Sequence, residues 1–268
     1  MGELPAYAGL FRMRLVRGLS YRAAAIAGSV TQFFWGFMLI SVLRAFARSG
    51  GSPLDDGQIA SYIWLQQAFL VLGAIWFRDG ELVRLICSGD AAYELCRPVD
   101  LYRFWFARLA GGRLAATALR CLPILAVASF LPEPWRLCLP GSPAVLACFA
   151  LAMALATVMV IAVSMFSYAL TMVTLNTQAG FLFVAPVFEL CAGLLVPLPL
   201  MPEGVRRVLE VLPFRYAADL PFRIWMGSIG LAELPGLLAA EIAWLAVIVA
   251  GGRLALGAAL RRAEAVGG

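Results

Sequence analysis

Apolar runs of about 20 residues recur along this chain from residue 23 to residue 260, with no long polar insert between them. A bilayer core of about 30 Å takes roughly 20 apolar residues per helix, so each run reads as a span. Six such runs stand out, at 23 to 43, 58 to 77, 114 to 131, 144 to 171, 179 to 196 and 236 to 258. Hydrophobic residues make up 62% of the 268 and charged residues only 14%. Soluble domains carry roughly 25% charged residues, so this chain has too little polar surface to coat a globule. An all-α membrane protein with about six transmembrane helices is expected, folded as one domain over residues 1–268.

Residue usage removes several chemistries. The 21 basic residues are all Arg and there is no His, so imidazole metal ligands and proton shuttles are excluded. The six cysteines are scattered without a CxxC pair, which argues against a zinc site or a disulfide framework. No GxxxxGK[ST] occurs and no Lys is present to complete one, so the chain has no P-loop of its own. Neither a metal nor a cofactor is expected in this chain, and no nucleic-acid partner. The N-terminal stretch "MGELPAYAGLFRMRLVRGLSYRAAA" places acid before base and lacks a short clean apolar core, unlike a signal peptide. Ala6 stands where a myristoylation motif needs Ser or Thr.

Orientation follows from arginines in short loops. With both termini cytoplasmic, Arg12, Arg14, Arg17, Arg22, Arg78, Arg84, Arg97, Arg103, Arg108, Arg113, Arg261 and Arg262 lie inside, and a smaller set lies outside. A bacterial inner-membrane, multi-pass location is the corresponding expectation. Residues 12–22 read as an interfacial helix, with Phe11, Leu15 and Leu19 at helical spacing against arginines. Residues 197–235 carry Pro197, Pro199, Pro202, Pro213 and Pro221 and cannot form one straight helix; 203 to 212 and 214 to 226 read as short amphipathic helices of an outer re-entrant hairpin.

The stretch 87 to 102, "CSGDAAYELCRPVDLY", is charged and punctuated by Gly and Pro within a larger cytoplasmic segment, 78–113. A helix from about Asp90 to Cys96, ended by Pro98, puts Asp90 and Glu94 on one face with Arg97 a turn beyond Glu94. Such charges suit ion pairs to a soluble partner, with Tyr93, Leu95, Tyr102 and Trp105 as anchors; the plainer reading is a solvated loop.

In their order and spacing, "SGDAAYELCRPVDLYRFWFARLAGGRL" (88 to 114), "LRCLP" (119 to 123), "GLLVPLPLMPEGVRRVLEVLPF" (193 to 214), "DLPFRIWMG" (219 to 227) and the C-terminal "RRAEAVGG" resemble the permease subunits of type 2 ATP-binding cassette exporters. The resemblance is to the compact branch that includes viologen-exporter-like permeases, and it spans most of the chain. It implies a six-helix permease that pairs with a second copy or a sister permease and is driven by a separate ABC ATPase holding ATP and Mg. It further implies that the loop holding Asp90, Tyr93, Glu94, Arg97 and Asp100 is a coupling helix seated on that ATPase. The hairpin with Pro197, Pro199, Pro202, Pro213 and Phe214 becomes the outer gate, and hydrophobic or cationic compounds become the export substrates.

Of the ionisable residues in or near the spans, three call for partners: Arg120, Glu189 and Glu241. Ions there need protein or water around them. Arg120 matches an arginine that the family often places before a proline, here Pro123. An Arg120 to Glu189 pair is the structural expectation; a translocation pathway with Glu189 as counter-charge to a cationic substrate is the functional one. Glu241 is expected to snorkel to the outer interface. Ala24 and Gly28, or Ala239 and Ala243, would allow close helix packing. The competing classes are a secondary transporter, which would show broken helices in both halves, and a membrane-embedded enzyme. For the latter, Ser164, Ser167, Thr171, Thr174, Asn176 and Gln178 lack an activating His, Lys or carboxylate pair.

Overall fold

The computed structural model describes residues 3–50, 52–230 and 232–267, and the outermost residues of the N-terminal stretch and of the C-terminal motif lie outside these. Among the described residues all regular structure is helical. In chain order the α-helices are α1 (Leu4–Leu19), α2 (Arg22–Gly50), α3 (Asp56–Ala68), α4 (Leu70–Gly73), α5 (Gly80–Cys87), α6 (Ala91–Leu95) and α7 (Leu101–Phe130). They continue with α8 (Pro143–Thr174), α9 (Ala179–Cys191), α10 (Glu203–Val211), α11 (Asp219–Trp225) and α12 (Leu234–Gly267), with 3₁₀ turns at Leu198–Leu200 and Pro213–Ala217.

Four of these helices are long and apolar enough to cross a membrane: α2, α7, α8, and α12 from Leu234 to Arg262. The other two expected spans are shorter. The run at 58 to 77 is split into α3 and α4 and leaves the helix after Gly73, while the run at 179 to 196 is helical only to Cys191. The third run starts earlier than its hydropathy indicates, because Asp100 caps α7 by accepting from the Arg103 amide at 2.8 Å. Residues 101–113 are therefore helix, not loop. The N-terminal helix runs from Leu4 rather than residue 12, with Pro5 in its first turn.

Helix α3 lies at the centre. Asp55 opens it with a capping box, accepting from the Gln58 amide at 2.7 Å while its own amide donates to Gln58 Oε1. Every residue from Ile59 to Ala68 is buried, against α2, α7 and α11. A helix apolar all round belongs inside a bundle, and from Ile59 to Ala68 this one carries only Ser61, Gln66, Gln67, the Tyr62 hydroxyl and the Trp64 indole N–H as polar side-chain groups. Helix α1 packs along α7, and α8 along α12. The α1 crossing is close: a Cβ on Gly111 would stand 2.6 Å from the Phe11 carbonyl oxygen, so only glycine admits the two backbones there.

The proline-rich segment is broken as its composition indicates. Pro199 sits in the first 3₁₀ turn, Pro202 precedes α10, and Pro213 opens the second turn. Helix α10 lies on the surface, whereas α11 returns into the core with all but Arg223 buried. Tyr62 on α3 pins this return by donating to the Gly193 carbonyl at 3.2 Å and facing Asp219 Oδ1 at 3.3 Å, and the Trp225 indole donates to the Cys138 carbonyl at 2.8 Å.

Candidate functional site

The early end of α4 creates a problem in the buried core, because the last carbonyls of a helix have no partner in their own helix. Arg113 solves it. Its Nη1 donates to the carbonyls of Val71, Leu72 and Ala74 at 3.1, 3.1 and 2.8 Å, and its Nη2 to the Phe77 carbonyl at 3.0 Å and Ser164 Oγ at 3.1 Å. Counted with the loop arginines by charge distribution, Arg113 is in fact only 3% exposed and tied to three elements. Its signal in the sequence was an arginine seven residues, two helical turns, before Arg120 in an otherwise small and apolar run.

Beside the interrupted helix lies a cavity of about 570 Å³ between α2, α3, α4, α7 and α9, lined by Gln32, Gln67, Trp35, Trp76, Arg120 and Glu189 among others. A second, of about 540 Å³, shares Trp76, Glu189 and Leu195 with it and extends to Arg78 and Gln178. Arg120 and Glu189 thus border one cavity, but they form no ion pair within 4.0 Å among the described residues, which corrects the expectation of a direct structural pair. The reason is local: the Arg120 guanidinium is turned onto α2, where a Cβ on Gly28 would lie 3.0 Å from its Cζ. Gly28 makes room for a side chain rather than for a helix. Glu189 Oε1 and Gln32 Oε1 are buried without hydrogen-bond partners among the described residues, and Gln32 Nε2 donates to the Gln67 carbonyl at 2.9 Å. The cavity therefore offers one guanidinium, two free acceptors and two half-exposed indoles, a set that can hold a polar or charged head with an aromatic or apolar body.

The charged stretch divides in two. Glu94 does not face a partner: it is 7% exposed, accepts from the Trp105 indole N–H at 2.5 Å and stands 3.9 Å from Arg108. Trp105 and Tyr102 are buried and anchor α7 internally. This corrects the placing of Asp90 and Glu94 on a common outward face; α6 has only one turn, and the burial of Ala91 turns Glu94 inward with it. Asp90, Tyr93, Leu95 and Arg97 are exposed, Tyr93 by 75%, with Arg97 over the Phe104 ring at 5.4 Å. Asp100 is a cap whose amide donates to Tyr7 Oη at 2.9 Å, and Arg253 approaches its carboxylate at 3.9 Å.

A charged cluster fixes this platform to the bundle. Arg108 Nε donates to Asp79 Oδ2 at 2.7 Å, and Arg14 and Arg17 reach Glu81 at 2.8 and 2.7 Å. Burial pulls the Asp79 carboxyl upward in pKa, but the Arg108 guanidinium and the α5 amides outweigh it and hold it below the usual carboxylate value. Glu81 is likewise held low, its partial burial outweighed by Arg14 and Arg17.

No family model, curated protein or solved structure matches this chain. The assignment of the site therefore rests on its own geometry.

The remaining expected residues fall into place individually. Phe214 packs edge-on against Phe188 at 5.6 Å, Pro213 is buried beneath it, and Pro197 and Pro202 flank the first 3₁₀ turn. Glu241 does not snorkel: it is fully buried, and both carboxylate oxygens lack partners among the described residues. Ala239 and Ala243 are exposed. Ser164 Oγ and Thr171 Oγ1 donate to carbonyls four residues earlier, and Ser164 also accepts from Arg113, so they serve helix packing. Among the described residues no group of three or more Cys, Asp or Glu side chains could hold a metal ion.

Proposed function

We propose that the protein is the membrane-spanning permease subunit of an ATP-driven exporter. It works as a pair with a second copy or sister permease, and a separate ATPase that binds ATP and Mg supplies the energy. The observation that carries this reading is the course of α7. Its first turns hold the α6 platform through Trp105 and Arg108, and its later turns present Arg113 to the broken helix and Arg120 to the cavity. A push on the exposed Tyr93 and Arg97 would reach the cavity through one continuous helix. Under this reading α3 with α4, and α9, complete a six-span domain with both termini cytoplasmic in a bacterial inner membrane, and the proline-broken hairpin forms the outer gate. The cavity suits an amphipathic cargo with a polar or cationic head.

The test is affinity purification of the tagged protein from its native cell in mild detergent, with mass spectrometry for a stoichiometric Walker-motif ATPase. Tyr93→Ala and Arg97→Glu are the variants to use, because both side chains are exposed. Recovery of the ATPase with wild type and its loss with both variants supports the permease role. A well-folded wild-type protein that brings down no ATPase refutes it.

A further inference from the structure

A separate cavity, of about 450 Å³, lies where the end of α1 meets the start of α5 and the flank of α7. Six arginines line it, Arg14, Arg17, Arg78, Arg84, Arg108 and Arg113, against two carboxylates, Asp79 and Glu81, leaving a formal excess of four positive charges. The carboxylates are already saturated. Glu81 is met by Arg14, Arg17 and, at 3.3 Å, Arg108, while Asp79 is met by Arg108 and, at 3.6 Å, Arg14.

The other three arginines have no acidic partner within 4.0 Å among the described residues. Arg113 is met only by neutral carbonyls and a hydroxyl, and its buried Nε donates to nothing, as does that of Arg14. Arg78 donates to the Thr177 carbonyl, and Arg84 is exposed with no side-chain hydrogen bond. Buried and half-buried guanidinium groups gathered without counter-charge call for an anion. The space for one is real, since a Cβ on either Gly80 or Gly112, both in the lining, would meet nothing within 4 Å. Tyr21, 60% exposed, stands in the same lining at the α1–α2 junction, where an amphipathic ring marks a membrane–water boundary.

We propose that this cavity binds a phosphate-bearing anion, the headgroup of an acidic phospholipid, and that the bound lipid locks α1 to the α5–α7 platform. Basic pockets between helices at a membrane surface are suited to such headgroups, and the excess of four charges sets a preference for an anionic over a zwitterionic lipid. The site is independent of the transport reading.

The test uses the full chain, stripped of lipid in a neutral detergent and titrated with dioctanoyl-phosphatidylglycerol, dioctanoyl-phosphatidylcholine or inorganic pyrophosphate. Binding is followed by native mass spectrometry and by the unfolding midpoint. Phosphatidylglycerol should bind at one site per chain at least tenfold more tightly than phosphatidylcholine and raise the midpoint. Arg84→Gln should weaken it about fivefold, the worth of one surface arginine. Gly112→Leu, which fills the cavity without striking a neighbouring atom at Cβ, should abolish binding while the empty protein melts with wild type. Arg206→Gln, on the distant α10, should change nothing. Binding of pyrophosphate but not of the anionic lipid keeps the anion site and moves its source to a soluble phosphate. Equal binding of the two lipids, or wild-type binding by both Arg84→Gln and Gly112→Leu, overturns the proposal.

Discussion

Replacing Glu94 by Ala separates a structural carboxylate from an exposed docking charge, and its cost can be worked from the contacts. The buried Trp105 indole N–H would lose its acceptor at 2.5 Å. An unsatisfied buried donor costs about 1–3 kcal/mol. Arg108 would lose a contact at 3.9 Å but keep Asp79 at 2.7 Å and Glu81 at 3.3 Å, so no charge is left bare. We therefore expect a loss of about 2–3 kcal/mol. At about 2–4 °C per kcal/mol for a chain of this order, the unfolding midpoint should fall by about 4–12 °C. Midpoints should be read in detergent by tryptophan fluorescence at one fixed scan rate, since irreversible unfolding makes them rate-dependent. Tyr93→Ala, one residue away but 75% exposed, should lie within about 0.5 kcal/mol of wild type. Glu94→Ala combined with Trp105→Phe should cost about 1–3 kcal/mol less than the sum of the singles, because either change alone orphans the other group. A Glu94→Ala protein that melts with wild type, or a Tyr93→Ala protein that falls as far, would refute this assignment.

Three further outcomes follow from the same geometry. Gly193 has φ +79°, and a Cβ there would lie 2.5 Å from Tyr62 Oη; Gly227 has φ +68° and open space around it. Gly227→Ala should cost about 1–2 kcal/mol, the ordinary left-handed penalty, and Gly193→Ala distinctly more, read as the ratio of folded yield and midpoint. Arg113→Lys keeps the charge but cannot span carbonyls from Val71 to Phe77, so it should lower stability by about 2–3 kcal/mol in the same melt. Because Asp79 and Glu81 are held below their ordinary pKa, the stability they contribute is fully present above about pH 4–5 and is lost as pH falls through their lowered native values. An acid titration of the midpoint should show this loss, and Asp79→Asn should flatten it.

The features that could be read from the chain alone are those encoded locally. Apolar runs located the four long helices, and closely spaced prolines located the break between Pro197 and Pro221. The break after Gly73 could not be read, because the group that stabilises it, Arg113, lies 39 to 42 residues from the carbonyls of Ala74, Leu72 and Val71 that it satisfies. Hydropathy sees only the apolar composition of 58 to 77 and extends the helix through it. Glu94 was misplaced for a related reason. In a helix of one turn, helical spacing does not decide which face is buried, and the deciding partner, Trp105, lies beyond Pro98. Arg120 and Glu189 were legible as charges within apolar runs, yet their relation through a cavity depends on Gly28, whose missing side chain attracts notice only as a packing residue.

The arginines of α7 also bear on how motion could travel along it. From Arg108 to Arg120 the helix climbs twelve residues, about 18 Å at 1.5 Å per residue, and its proline comes only later, at Pro123. The segment joining the α6 platform to the cavity is therefore an unbroken hydrogen-bonded rod, and the weak point lies beyond the cavity. Arg113, midway along, does not merely ride on this rod. It holds the end of α4 through four carbonyls, so any displacement of α7 must carry the broken helix with it or strip those carbonyls of their donors. Stripping them in the buried core is costly, since no water replaces the lost bonds there. Under the proposed transport role, α4 and α7 would thus move as one body, and the cavity between them and α2 would change shape chiefly where Arg120 meets Gly28, the contact with no ion pair to break.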